Sequence, residues 1–384
     1  MFFIHLCNIL SQYKDFVYKY ILHLHRQPIY ANNMDIREDI IFVVNPISGT
    51  QNKESILEYI ESNINRSIYN PRIIRTEYAG HACDIAKQAV ADKVSFVVAI
   101  GGDGTINEVG CALVHSDTAL GIIPCGSGNG LARHLHIPMD YHKAVQLINN
   151  ANVRLIDYGK IAGHPFFCTC GVGFDAFVSL KFAGSKRRGL ITYLENTLKE
   201  SLHYEPETYE IENSEGTVKY KAFLIACGNA SQYGNNAFIT PQASLSDGMM
   251  DITVLEPFTV LDVPSLSFQL FTKTIDMNSR IKTMKDKKIT IHRATEGVFH
   301  FDGDPMIGPK DLVVEIVPSA LKVICPPKPK RSIYEPHNIL QHITDFIEAK
   351  PVSSSIAEKH RQLLEMNRTL MKKLVKKNNQ QQDD

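Results

Sequence analysis

Apolar residues follow two rhythms along this 384-residue chain, and the rhythm changes near residue 155. In the first part, Ile40–Val44 (IIFVV) is a continuous apolar run, which predicts a strand buried on both faces. It ends in Asn45-Pro46-Ile47-Ser48-Gly49, a sequence built for a turn. Ile56, Ile60 and Ile64 then recur every four residues and predict a helix. Arg72–Glu77 reads as a second strand, and residues 81–91 as a helix with Ile85, Ala86 and Ala89 inward. Ser95–Ile100 and Ala119–Pro124 are two further buried strands, followed by helices opening at Thr105 and near Leu131. Strands that alternate with helices predict a mostly parallel, helix-covered sheet.

Beyond residue 155 the strands alternate apolar and polar positions and are joined by turns. Lys219–Ala226, Met250–Leu255, Lys288–His292, Val298–Asp302 and Leu312–Val317 are the clearest. A period of two with short links predicts an antiparallel sandwich or open barrel. Helical insertions are expected at about 188–203 and 259–276. The organisation is therefore an N-terminal extension (1–34), an α/β domain (35–155), a β-sandwich domain (156–326) and a basic helical tail (327–384). Residues 1–34 show no clear period. Met34 precedes the first strong strand, so it reads as a start site, with an amphipathic membrane-docking helix as the alternative. In the tail, Asn338 is placed to cap a helix carrying Ile339, Ile343, Phe346 and Ile347 on one face. A second tail helix carries seven Lys/Arg against one Glu across 359–377. It reads as a solvated helix or as one that touches anionic lipid.

Composition narrows the classes. The 44% apolar and 21% charged fractions are those of a soluble globular protein. With 41 Lys+Arg against 41 Asp+Glu, the chain lacks the cationic surplus of a general nucleic-acid binder. No run approaches the ~20 apolar residues that span a bilayer, and the first ten residues lack the basic start of a signal peptide. A cytoplasmic protein is expected. The balance hides a difference between regions: the two ends carry twelve basic and eight acidic groups, leaving 29 and 33 in residues 35–330. Eight Cys with no C-x-x-C pair in so long a chain exclude a disulfide scaffold, and no spacing completes a cysteine metal site. His134 and His136, two apart, do not share a helix face.

The strongest chemical signal is Gly101-Gly102-Asp103-Gly104-Thr105-Ile106-Asn107-Glu108, directly after a buried strand and opening a helix. Glycines there let backbone N–H groups close on an anion, and the helix N-terminus adds its positive end. This is neither the dinucleotide fingerprint nor a Walker A motif, since no Lys-Ser/Thr follows. The loops at Asn45–Gly49 and Pro124–Gly130 leave the same sheet edge, where crevices in open α/β sheets bind ligands.

Taken together, N-P-x-S-G, G-G-D-G-T-x-N-E and P-x-G-S-G-N resemble the diacylglycerol kinase catalytic-domain family, over roughly residues 38–325. The resemblance implies an α/β nucleotide domain like that of NAD kinases, followed by a β-sandwich lipid domain, with Leu321–Cys325 returning to the first. It implies ATP and Mg²⁺ as cofactors. Asn45, Gly49 and Thr76 would line the ATP site, Gly101, Gly102, Gly104, Thr105 and Asn107 would cradle phosphates, and Asp103 would help position Mg²⁺-ATP. Ser127 would meet the nucleotide. Here the chain reads G-S-G-N-G, closer to sphingosine kinases than to the usual G-T-x-N-D.

In the β half, Asp302-Gly303-Asp304-Pro305 resembles the family's D-G-E-P segment, placing Asp304 as proton acceptor with one methylene less reach than Glu. By the same likeness, Asp247 with the carbonyls of Ser244 and Met249 would hold a structural Mg²⁺, Asp157 would link that site to the active centre, and Asp175 would meet the lipid head group. The implied reaction is γ-phosphate transfer to a lipid hydroxyl, foremost diacylglycerol to phosphatidic acid. Sphingoid-base or ceramide-type lipids, NAD, and a silent lipid- or nucleotide-binding regulator are the alternatives. Peripheral contact with the inner face of the membrane follows from such a substrate, and a homodimer is compatible with it.

Overall fold

The computed structural model describes residues 37–49, 51–183 and 204–327; the expected N-terminal extension, the helix at 188–203 and the tail beyond residue 327 lie outside them. Strand β1 (Glu38–Val44) is buried from Ile40 onward because that run offers no polar side chain to either face. It pairs in parallel with β2 (Tyr69–Arg75) and β3 (Phe96–Gly101), and β3 pairs with β4 (Ala119–Pro124). β2 begins at Tyr69, three residues earlier than the apolar pattern suggested. The buried Tyr69 ring carries a hydroxyl that donates to the Ile148 carbonyl (2.9 Å), which ties those residues to the sheet. Pro71 is tolerated because β2 is an edge strand.

Successive strand residues point to opposite faces, so the sheet feeds two cores. Ile41, Val43, Val97 and Ala99 pack under helices α2 (His81–Ala91) and α3 (Asp103–Leu113). Ile40, Phe42, Val98 and Ile100 pack under α1 (Lys53–Asn63) and α5 (Tyr141–Asn150). Between them in sequence lies the short helix α4 (Gly130–His134). The Asn52 side chain caps α1, accepting the Glu54 N–H.

The antiparallel part begins with β5 (Val153–Ile161) and β6 (His164–Phe166) and ends with the fourteen-residue β16 (Asp311–Ile324). β16 pairs with β13 (Lys288–His292) near its start and lies parallel to β4 near its end, with Val323 opposite Leu120. One ten-stranded sheet thus runs from the parallel strands into β16, β13, β8 (Glu207–Asn213) and β9 (Gly216–Ala222), with β5 attached to β16 and β6 to β5. A second, wholly antiparallel sheet has the order β12-β11-β10-β7-β14-β15 (Ile281–Asp286, Met250–Leu255, Leu224–Gly228, Thr169–Gly173, Gly297–Phe301, Asp304–Gly308). One face packs on the first sheet through Val172, Ile225, Ile252 and Phe299 against Ile211, Ile291 and Val314. Its other face is covered by α6 (Phe174–Ala183) and α7 (Val263–Phe271), around Phe174, Val178, Phe223 and Leu266.

Lys219–Ala226 is not one strand. The chain changes sheets at Phe223, whose N–H donates to the Leu255 carbonyl (2.7 Å) and whose carbonyl accepts the Phe174 N–H (2.9 Å). The polar alternation of 217–221 suits an outer strand, whereas Leu224–Gly228 is buried throughout. Among the described residues no helix is long and apolar enough to cross a membrane.

Candidate active site

The carboxyl ends of β1, β2, β3 and β4 converge, as parallel strands must. Thr76, just past β2, donates its N–H to the Val44 carbonyl (2.9 Å), and Asn45 donates its own to the Ile100 carbonyl (3.1 Å). The Asn45 side chain then donates to Thr105 Oγ1 (3.0 Å), fastening the first loop to the start of α3. The loops meet glycine to glycine. A Cβ on Gly49, which sits at φ +61°, would lie 1.6 Å from the Cys125 carbonyl oxygen, and one on Gly126 would lie 2.6 Å from Gly102 Cα. Only bare backbone fits at these two positions. Gly104 has open space and Ser127 is exposed, so the rim of this edge presents backbone and one hydroxyl.

Asp103 lies inside this edge. Its Oδ2 accepts the Asn129 N–H (2.8 Å) and its Oδ1 the Gly130 N–H (2.7 Å), so the carboxylate joins the β3 loop to the β4 loop. Burial pushes this carboxyl above its usual range, against the pull of those two amides. Asn129, held at φ +51°, closes its loop by accepting the Gly126 N–H (3.0 Å) and donating to the Gly126 carbonyl (2.7 Å).

The second centre is the hairpin β14–β15. Asp302 (φ +48°) and Gly303 (φ +90°) form its two-residue turn, and Asp304 pairs with Phe301 directly behind it. The D-G turn and the acid after it are therefore both present. Asp302 is the surprise. Its carboxylate accepts N–H groups from Phe167 (2.8 Å), Cys168 (2.7 Å) and Thr169 (3.1 Å), and the Asn107 side-chain amide (2.9 Å). Burial pushes its pKa up to about 6, against the lowering effect of those four donors. Asn107 thus spends its amide on Asp302, and its carbonyl oxygen accepts from the Cys111 thiol. The Asn107–Asp302 bond ties the helix behind the glycine turn to the hairpin that carries Asp304.

Asp304 is exposed as a residue, yet the protein around its carboxyl raises its pKa, as does nearby Glu108, while His300 opposes them. Glu108 itself accepts the Gly80 N–H (3.1 Å). Asp175, at the start of α6, is already engaged: Oδ2 accepts the Tyr233 hydroxyl (3.0 Å) and His300 Nε2–H (3.1 Å), and Oδ1 the Ala176 N–H (2.8 Å).

In the loop expected to hold a metal, the acids make contacts within the protein. Asp157 is buried, with Oδ2 accepting the Gly248 N–H (2.8 Å) and Oδ1 the Ser319 N–H (2.7 Å). Asp247 Oδ1 accepts the Met249 N–H (3.1 Å), and its Oδ2 faces Lys285 Nζ at 3.4 Å. Ser244 Oγ accepts the Ser246 N–H (3.4 Å). Among the described residues no three His, Cys, Asp or Glu side chains cluster to hold a metal, so one held here would rest on the Asp247 carboxylate and backbone carbonyls. Asp157 does connect to the hairpin through backbone. Asn229 Nδ2 bridges the carbonyls of Asp157 and Phe167 (2.9 Å each), and the Phe167 N–H reaches Asp302.

Reading the sequence alone missed Asp302 and His300, and gave Asn129 only as part of the 126–129 loop. Asp302 stood in the quoted motif as half of a turn. Nothing near it in sequence points to the backbone amides of 167–169.

The two halves of the chain match two family models. Residues 39–161 match the diacylglycerol kinase catalytic domain, and residues 168–325 match the YegS C-terminal NAD kinase beta sandwich-like domain. A Pectobacterium atrosepticum protein named "Probable lipid kinase YegS-like" is 28% identical over 256 residues, covering 65% of this chain and 84% of its own. An Escherichia coli protein named "Probable lipid kinase YegS" is 29% identical over 255 residues, with the same coverage. The crystal structure of a diacylglycerol kinase from Bacillus anthracis matches with a TM-score of 0.60 over 76% of this chain and 97% of that one; at 21% identity this speaks to fold. With its glycine loops, hairpin acid and both domain matches in one chain, the protein belongs to the diacylglycerol kinase catalytic-domain family, as a lipid kinase of the YegS-like type.

Proposed function

We propose that this chain transfers the γ-phosphoryl group of ATP to a lipid hydroxyl, with diacylglycerol as the foremost acceptor and phosphatidic acid as product. A sphingoid base or ceramide-type lipid is the next acceptor to test. The observation that carries the reading is the Asn107–Asp302 hydrogen bond of 2.9 Å, because it couples the glycine turn to the hairpin bearing Asp304. Phosphoryl transfer depends on positioning and charge more than on covalent chemistry by the protein. The turn at 101–104, the start of α3 and Ser127 would lend N–H and hydroxyl donors to the phosphates. Asn45 and Gly49 would wall the nucleotide on one side and Thr76 on another. Asp304 takes the proton of the acceptor hydroxyl as that oxygen attacks the γ-phosphorus, and ADP leaves with the bridging oxygen. Mg²⁺, bound with the nucleotide, supplies charge neutralisation to the phosphates. Asp103 serves this chemistry by locking two loops together, since both its oxygens already accept backbone amides.

The test is labelled ATP with vesicles containing diacylglycerol, ceramide, a sphingoid base or phosphatidylglycerol, with and without Mg²⁺. Label is expected in diacylglycerol and absent for Asp304→Asn. Transfer to soluble NAD without any lipid, or full activity of Asp304→Asn, would sink the reading. Work at a lipid surface fits peripheral contact with the inner face of the membrane.

A further inference from the structure

Two carboxylates flank the loop that turns from residue 244 into β11, and one ammonium stands between them. Lys285 Nζ lies 2.9 Å from Asp251 Oδ2 and 3.4 Å from Asp247 Oδ2. The first contact is a close ion pair. Asp251 and Lys285 sit directly opposite each other on β11 and β12, so the sheet register itself delivers the ammonium to this place. The Asp251 side chain is only 12% exposed, and an unpaired charge there would be costly. The remaining acid near the loop, Asp157, is saturated by the Gly248 and Ser319 amides. Gly248 at φ +69° lets the loop fold back for that contact.

We propose that Lys285 is a tethered cation standing in the place of a structural divalent metal at the Asp247 loop, so that this loop folds without one. A metal bound to Asp247 would sit within a few ångströms of the Lys285 ammonium, and like charges that close repel strongly in a partly buried site. The two cations are alternatives. A covalently tethered one cannot be chelated or diluted away, so its charge neutralisation is permanent.

Thermal unfolding of the full chain without nucleotide tests this, which keeps it separate from any Mg²⁺ needed for ATP. The wild type should carry no stoichiometric divalent metal by elemental analysis. Its midpoint should be the same in EDTA and in millimolar Mg²⁺ or Ca²⁺. Lys285→Met should lower the midpoint in EDTA by about 5 °C and regain part of it with Mg²⁺ or Ca²⁺, whereas Lys285→Arg should stay insensitive to metal. A wild type that loses stability in EDTA would overturn the proposal even if Lys285→Met fails to fold. So would a Lys285→Met midpoint equal to wild type in EDTA, or one lowered but deaf to added cation.

Discussion

Two loops of this protein are fastened in the same way and end up with opposite characters. At the nucleotide edge, Asp103 accepts backbone N–H groups from Asn129 and Gly130 at 2.8 and 2.7 Å. At the 244–249 loop, Asp157 accepts those of Gly248 and Ser319 at the same two distances. Around Asp103 the neighbours are glycines and small polar residues, with the Arg133 guanidinium held nearby on the Gly128 carbonyl. The loop is rigid there, yet its outer backbone and Ser127 remain available to a ligand. Around Asp157 the two neighbouring acids, Asp247 and Asp251, share the single Lys285 ammonium. The fastening sets order; what surrounds it sets whether the order serves binding or only folding.

The comparison can be broken at several points. The largest effect is expected outside both loops, as the reference for catalysis: Asp304→Asn should lower kcat by about 10²–10⁴-fold with an unchanged unfolding midpoint. A variant that keeps its rate would remove the hairpin acid from the chemistry. Next, Asp103→Asn and Asp157→Asn should each cost about 2–4 kcal/mol, because the new amide group faces backbone N–H donors. Calorimetric titration with ATP should show weaker binding for the Asp103 variant alone. Equal loss of affinity in both would mean that the two loops do not differ in kind.

A smaller effect, about 1–3 kcal/mol, is expected from Asn107→Ala, which leaves one Asp302 oxygen short of a donor. The loss should fall on kcat more than on the apparent affinity for ATP, since the hairpin loosens while the glycine edge stays. The smallest effect is in pH. The Asp304 carboxyl is raised by burial first and Glu108 second, and a base must be ionised to work. Activity should therefore climb with pH through a limb lying above the ordinary carboxylate range. In a Glu108→Gln variant that limb should shift to lower pH. An unmoved limb would show that Glu108 does not bear on the acid.

How much of this could be read in advance depends on the range of the interaction. Ile40–Val44 and Ala119–Pro124 declare themselves as strands because burial on both faces demands an unbroken apolar run. Gly101–Gly104 declares a tight, anion-friendly turn because no other residue type would be repeated there. The Lys219–Ala226 stretch misled because a strand that changes sheets keeps the same β propensity on both sides of Phe223. Asn107 was read as a nucleotide ligand, and its partner Asp302 lies 195 positions away. Lys285 carried no signal at all, since it meets Asp247 only through the pairing of β11 with β12.

By itself the sequence determined the βα alternation, the switch to antiparallel strands, the three glycine-bearing loops and the acid after the hairpin turn. Those follow from periodicity and backbone freedom, which act over a few residues. Only the tertiary structure decided that Asp103 joins two loops, that Asp302 binds the two halves of the site together, and that Asp247 faces an ammonium. Each of those outcomes is a choice of hydrogen-bond or charge partner. Such choices are made by whichever groups the sheet order brings within about 3 Å, not by neighbours in the chain.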